Sequence, residues 1–134
     1  MLNTTLSNTC WVGIGAINAL VAVAAGAFGA HGLKSRLTPD MLAIFETGAR
    51  YQMYHALAMV VVGALLGNES RRSANRFVCA LFQSGILFFS GSLYLLALTG
   101  QTWLGAITPI GGLAFLMGWA LLSWSHLRNK QGQV

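Results

Sequence analysis

The chain has 134 residues, of which 55% are hydrophobic and 8% are charged, and its formal net charge is +5. Soluble domains carry about 25% charged residues, and a domain this short buries too little surface to hide so much apolar area from water. The composition therefore excludes an ordinary soluble domain and predicts one membrane-embedded domain over residues 1–134.

Three stretches without Asp, Glu, Lys or Arg indicate where the chain crosses a bilayer: residues 1–33, 51–68 and 77–127. A hydrocarbon core of roughly 30 Å needs about 20 helical residues. The third stretch accommodates two helices, joined by a polar turn around Gly100. Continuous apolar runs are unlike the alternating strands of a β-barrel. We therefore predict an all-α membrane protein, a four-transmembrane-helix bundle with helices at about 10–31, 51–67, 77–98 and 103–125.

The first predicted helix begins with Trp11, an aromatic residue of the kind found at membrane interfaces. A cleaved signal peptide is the alternative, because Ala25, Gly26 and Ala27 resemble a small-residue cleavage site. The first ten residues contain no Lys or Arg, however, and signal peptides begin with a basic segment. We therefore favour a retained helix.

A short amphipathic segment is predicted at residues 39–48, between helices one and two. Thr38 supplies a capping hydroxyl, Pro39 suits the first helical turn, and Asp40 suits the positive end of the helix dipole. Apolar side chains gather on one face of the segment and polar ones on the other. We expect it to lie at the interface or over the mouth of the bundle. Only Gly48 separates it from helix two, and a single helix continuous with helix two is the alternative.

Helix four has two alternative starts. It begins either at Trp103, with Pro109 as a kink, or near Thr108, where a Thr-Pro pair repeats the signal at Thr38.

Small residues recur every four positions on three helices and are expected to permit close helix packing: Ala22, Gly26 and Ala30, then Ala80 and Ser84, then Ala114 and Gly118.

Five side chains form a candidate polar cluster at one membrane face: His31, Glu46, Arg50, Tyr51 and His55. Glu46 and Arg50 are four residues apart and can pair on a helix surface, and His55 lies about one turn inside its span. An ionisable residue inside a span is a functional candidate. We favour a structural role, with Tyr51, Glu46 or His31 as the partner of His55. A metal or haem site, or a proton relay, is the alternative.

The polar residues favour a structural, accessory or complex-associated membrane protein without enzymatic activity, and the alternative is a small transporter or channel that uses the cluster. We identify no catalytic set, metal site or cofactor. Nucleic acid is not an expected partner, since the basic residues flank apolar spans. The expected partners are the lipid bilayer and either further copies of the chain or a larger membrane complex.

Orientation follows from the basic residues. With four spans, five of them lie on the side of both termini (Arg71, Arg72, Arg76, Arg128 and Lys130) and three on the other (Lys34, Arg36 and Arg50). The positive-inside rule then puts both termini in the cytoplasm.

Cys10 and Cys79 are near that side, where thiols stay reduced, and we expect free thiols with a packing role.

Several motifs resemble one family. In order, they are GAFGAH at 26–31, Thr47-Gly48 with Tyr51-Gln52 and His55, SGSLY at 90–94, TPIGG at 108–112, and Gly118-Trp119. This pattern resembles the YgdD-like small membrane proteins of unknown function. The resemblance covers nearly the whole chain. It implies a protein of the bacterial inner membrane with relatives in mitochondria, and it implies no activity.

Overall fold

The computed structural model describes residues 2–65 and 72–128, with side chains described from residue 10 onwards. Every regular element in those two ranges is helical, which confirms the all-α prediction. The α-helices are α1 (Leu2–Phe28), α2 (Pro39–Ala64), α3 (Arg72–Gly85), α4 (Gly91–Thr99) and α5 (Thr108–Leu127). The predicted end of helix two at Gly67 and residues 68–71 of the following loop lie outside the described residues. The rest of that loop is helical, because α3 begins at Arg72 rather than at the predicted residue 77.

The predicted amphipathic segment at residues 39–48 and helix two form one continuous helix, α2, which is the alternative that the sequence left open. Its start is the predicted one, because the Thr38 hydroxyl accepts a hydrogen bond from the Met41 amide (3.3 Å) and Pro39 lies in the first turn. Gly48 does not break the helix. It provides room for the Tyr94 ring, whose carbon would lie 3.0 Å from an added Cβ.

We number the four long helical stretches of the bundle as passes in chain order, and the third pass is a composite. α3 is followed by a π-helical segment, Ile86–Ser90, and then by α4, and together they run without a break from Arg72 to Thr99. The π-helical segment was not predicted. α4 ends at Gly100, whose φ of 71° is the left-handed conformation that terminates many helices.

Both proposed starts of the fourth pass mark real features. A 3₁₀ helix, Thr102–Ala106, begins near Trp103, and α5 begins at Thr108 with Pro109 in its first turn. The proline therefore starts a helix rather than kinking one, since its missing amide hydrogen is unneeded in the first turn.

α1 and α2 pack antiparallel along most of their length. A Cβ added to Gly15 would lie 2.9 Å from the Ala56 carbonyl oxygen, and one added to Gly63 would lie 3.1 Å from the Val12 amide nitrogen. Near the other end, the Phe45 ring packs against Gly29. Residues 45–63 of α2 therefore lie beside residues 12–29 of α1.

α5 packs against the composite third pass in the same close manner. The Phe82 ring lies against Gly118, and Gly111 contacts the backbone of the π-helical segment at Phe88 and Phe89. The core between α2, α3 and α5 contains Met59, Val62, Val78, Cys79, Phe82, Ile86 and Phe115, all of them buried. Cys79 thus has the predicted packing role. Cys10 is exposed and does not.

Three helical stretches of the described chain are long and apolar enough to cross a membrane: Cys10–Leu33, Arg72–Thr99 and Thr102–Leu127. The predicted count of four helices fits the bundle, but the number of such spans is three. α2 is not among them, because Glu46, Arg50, Gln52 and His55 lower its mean hydropathy. Large apolar side chains such as Leu20 and Leu116 are about 70% exposed on the outer surface, as expected of a surface in contact with lipid.

Candidate functional site

The structure divides the five predicted cluster residues among three places. His31 is exposed in the π-helical end of the first pass, Gly29–Leu33. Glu46 and Arg50 are exposed on the side of α2 that adjoins α1. Tyr51 and His55 lie on the side that faces α5. Within the part of the chain that is described, Glu46 and Arg50 line one groove but form no ion pair.

His55 is buried, and both nitrogens of its ring have partners. Trp119 donates from Nε1 to His55 Nε2 over 3.1 Å. Because Nε2 accepts this bond, the proton of a neutral ring is on Nδ1, which donates to the Tyr51 carbonyl oxygen at 2.7 Å. Of the three predicted partners, only Tyr51 contacts the ring nitrogens, and it does so through its backbone. The tryptophan was not predicted.

Aromatic rings surround the imidazole. Phe115 stacks on it with ring centroids 3.4 Å apart and planes 7° apart, and Phe82 meets it edge-on at 5.3 Å. Tyr51 stacks at a longer distance, 6.3 Å. A neutral imidazole held between apolar rings and two hydrogen bonds is fixed in place, so this geometry favours a structural role.

A groove of about 750 Å³ opens beside this residue, between α2 and α5. Its volume is in the usual range for small-molecule sites. We call it the aromatic groove. It is lined by Tyr51, Tyr54, His55, Phe89, Pro109, Gly112, Leu113, Phe115, Leu116 and Trp119. The lining is almost wholly apolar, so the groove can accept hydrocarbon more readily than a polar solute.

A second set of polar side chains, which we call the amide network, joins all three of the first passes. Asn18 of α1 donates from Nδ2 to Gln83 Oε1 of α3 at 2.8 Å. Gln52 of α2 donates to the Asn18 carbonyl oxygen at 3.2 Å and accepts from the Tyr94 hydroxyl of α4 at 2.8 Å. Such bonds stabilise helix association in lipid.

Gln83 and Tyr94 both bond across helices in the amide network. None of these pairings was predicted from the sequence. The available signal was that Asn18 is an amide inside a long charge-free stretch, where an unpaired polar group is costly.

Three further hydroxyl groups lie in α5 or in the segments that precede it. The Ser92 and Thr108 hydroxyls are 2.8 Å apart and join α4 to the start of α5. Ser90 is fully buried at the end of the π-helical segment, and its hydroxyl has no hydrogen-bond partner in the described structure. Ser90 therefore contributes its small size to the packing rather than a hydrogen bond.

Comparison with known proteins identifies the family. The family described as "Protein of unknown function (DUF423)" matches residues 25–112. The chain belongs to this family. It is 49% identical to a UPF0382 membrane protein of Staphylococcus saprophyticus, over 81% of this chain and 89% of that one. It is 47% identical to the UPF0382 membrane protein YwdK of Bacillus subtilis, again over 81% of this chain and 89% of the relative. No solved structure matches it.

Membership of the DUF423 family makes this chain a membrane protein of unknown function and confirms the prediction of an uncharacterised bacterial membrane family. The matched range contains Gln52, His55, Gln83 and Tyr94. Asn18 and Trp119, which complete the two part-buried hydrogen-bonded sets, lie outside it.

Proposed function

We propose that this DUF423 protein is a four-pass protein of the bacterial inner membrane with a structural or accessory role, and that it acts by associating with membrane protein rather than by moving a solute. The observation that carries the proposal is that three pairs of part-buried polar side chains bond to one another across helices. Asn18 with Gln83, Gln52 with Tyr94, and His55 with Trp119 are the pairs.

The fourth crossing in this proposal is α2. It has 26 residues, which at 1.5 Å per residue exceeds a hydrocarbon core of roughly 30 Å. Its residues 45–63 lie antiparallel beside residues 12–29 of α1, within the apolar span Cys10–Leu33. A helix that follows a transmembrane helix over this length shares its depth in the bilayer, and the bonds of Gln52 and His55 reduce the cost of burying them.

The orientation follows from the basic residues at the helix ends. Arg50 lines a groove with Ala22, near the midpoint of the span Cys10–Leu33, and so does not belong to a loop. Only Lys34 and Arg36 then remain on the side opposite the termini. The excess on the terminal side favours both termini in the cytoplasm. The resemblance to YgdD-like proteins supports the inner membrane as the location.

An accessory role also follows from how the polar groups are used. A transporter or channel needs polar groups that face a solute path. Here the amide network and the His55–Trp119 bond use those groups to hold the passes together, and the lining of the aromatic groove is almost wholly apolar. Membrane proteins with apolar outer surfaces and small-residue stripes commonly associate through close helix contacts.

The experiment is native extraction of the tagged chain in polymer-bounded lipid discs, followed by mass measurement of the particle. We expect a stoichiometric assembly, either with another membrane protein or with further copies of the chain. An unrelated four-pass protein carrying the same tag controls for proteins that adhere to the tag. A particle that holds a single chain with no stoichiometric protein, and whose melting temperature rises with a small solute, would contradict the proposal and favour transport.

A further inference from the structure

Glu46 and Arg50 occupy an unusual position for charged residues. Both are exposed, and both line a groove of about 380 Å³ whose other walls include Ala22 and Gly26 of α1. Ala22 lies near the midpoint of the 24-residue span Cys10–Leu33. In the four-pass arrangement proposed above, on which this inference rests, Arg50 lies near the bilayer centre and Glu46 lies one helical turn nearer the interface.

Neither charge has a partner among the described residues. The two side chains form no ion pair with each other, although they are one helical turn apart, and no hydrogen bond satisfies either of them. Ionisable residues in membrane spans normally pair, face the bundle interior or line water. Phospholipid headgroups lie at the interface, roughly 15 Å from the bilayer centre. A protein surface that carries opposite charges at the depth of the groove would satisfy both residues.

We propose that the covering surface is a second copy of this chain, related by a two-fold axis along the membrane normal. One acid and one base on the same helix face are self-complementary. When two such faces meet about a two-fold axis, Glu46 of each copy lies one turn from Arg50 of the other, and two ion pairs form. An isologous interface of this kind uses the same patch on both subunits.

The surroundings of the two charges suit close helix contact. Ala22 and Ala49 are small and buried at the floor of the groove, and Gly26 is open on its outer side, because no atom lies within 4 Å of its Cβ position. Small residues let the backbone of a second copy approach, and the charges then select the register. Tyr54 also lines the groove, and its larger side chain is available to contact the second copy.

Charge reversal tests this pairing directly. Cells express two copies of the full chain that carry different tags, and the recovery of one tag with the other reports self-association. E46R gives a copy with two bases on this face, and R50E gives one with two acids. We expect either variant paired with itself to lose co-purification about tenfold or more, because like charges then meet. E46R expressed together with R50E should recover it, because both contacts become attractive again.

Unchanged self-association of both single variants, or no recovery in the mixed pair, would overturn the dimer. Where a reversal prevents insertion, the neutral variants E46Q and R50Q provide the second measurement. Each alone leaves one charge unpaired and should weaken association more than the double variant E46Q/R50Q does. A loss of association in the double variant that exceeds the loss in each single variant would also overturn the dimer. R36E, at an exposed charge outside α2, is the control that leaves association unchanged.

The four-pass arrangement on which the dimer rests is tested by a different measurement. Thiol labelling at the two ends of α2, with S35C and A64C, reports whether that helix crosses the membrane. A stoichiometric complex with another protein, without self-association, would contradict the dimer but not the accessory role.

Discussion

Trp119 of α5 donates its indole hydrogen to Nε2 of His55 on α2, over 3.1 Å. α2 and α5 are otherwise separated by the aromatic groove, so this bond and the stacked Phe115 ring connect the second pass to the last. The bond also fixes the tautomer, because a ring that accepts at Nε2 carries its proton at Nδ1. The His55 ring therefore links two helices of the bundle.

His55→Leu is expected to lower the free energy of unfolding by about 1–2 kcal/mol, since it leaves the Trp119 indole without its acceptor. Trp119→Phe should cost a comparable amount from the lost bond alone. The double variant should lose less free energy of unfolding than the two single variants lose in sum. Denaturation in mixed detergent micelles measures each of these free energies. His31→Leu is the matched control, because His31 is exposed and should leave stability unchanged. Strict additivity of the two substitutions would show that the bond contributes nothing.

Two adjacent glycines of α5 should respond differently to alanine. A Cβ on Gly111 would lie 2.8 Å from the Phe88 carbonyl carbon, whereas one on Gly112 would lie 3.8 Å from the nearest atom of the Phe89 ring. Gly111→Ala must displace backbone and should cost roughly 1–3 kcal/mol. Gly112→Ala makes ordinary contact and should be neutral or slightly stabilising. Melting temperatures in detergent compare them, and equal effects would contradict the close contact of α5 with the π-helical segment.

The bond between Gln52 and Tyr94 should contribute about 0.6–1.7 kcal/mol, the range found for hydrogen bonds between transmembrane helices. A double-mutant cycle with Gln52→Leu and Tyr94→Phe measures it as the coupling between the two substitutions. Thr99, whose exposed hydroxyl bonds only to the backbone of Leu95 and Gln101, serves as the control when paired with Gln52. A coupling no larger than that of the control would remove Tyr94 from the amide network.

The two cysteines should differ in reactivity. Cys10 is exposed, while Cys79 is fully buried, with its sulfur 3.9 Å from the Met59 carbonyl oxygen. A small maleimide applied to the folded protein in detergent should therefore label one thiol per chain, and Cys10→Ala should abolish the signal. After denaturation in dodecyl sulfate, two thiols should react. Rapid labelling of the folded Cys10→Ala variant would show that Cys79 is accessible.

The ends of the helices could be predicted because their signals are local. Thr38 with Pro39 starts α2 and Gly100 ends α4, as the sequence indicated, and Thr108 with Pro109 starts α5, which was one of the two starts that the sequence left open. Each of these signals acts within one helical turn, so no knowledge of packing is needed to interpret it.

The remaining features depend on residues distant in sequence. The π-helical segment Ile86–Ser90 lies where Gly111 brings α5 onto its backbone, and no local pattern specifies that approach. Asn18 and Gln83 are 65 positions apart, and so their pairing follows only from how the helices pack. The predicted cluster failed to come together for a related reason. Positions 46 and 50 face one side of α2, while 51 and 55 face the other, and which side meets which helix is decided by packing.

The central claim, that α2 is a fourth crossing, is tested most directly by labelling its two ends. Ser35 and Ala64 are exposed and flank the helix, so S35C and A64C are introduced separately into a Cys10→Ala chain in intact cells. With a membrane-impermeant maleimide, we predict reaction at position 35 without permeabilisation, and at position 64 only after the inner membrane is opened. The opposite pattern would retain the crossing and reverse the orientation. Labelling of both positions from the same side would contradict the four-pass account.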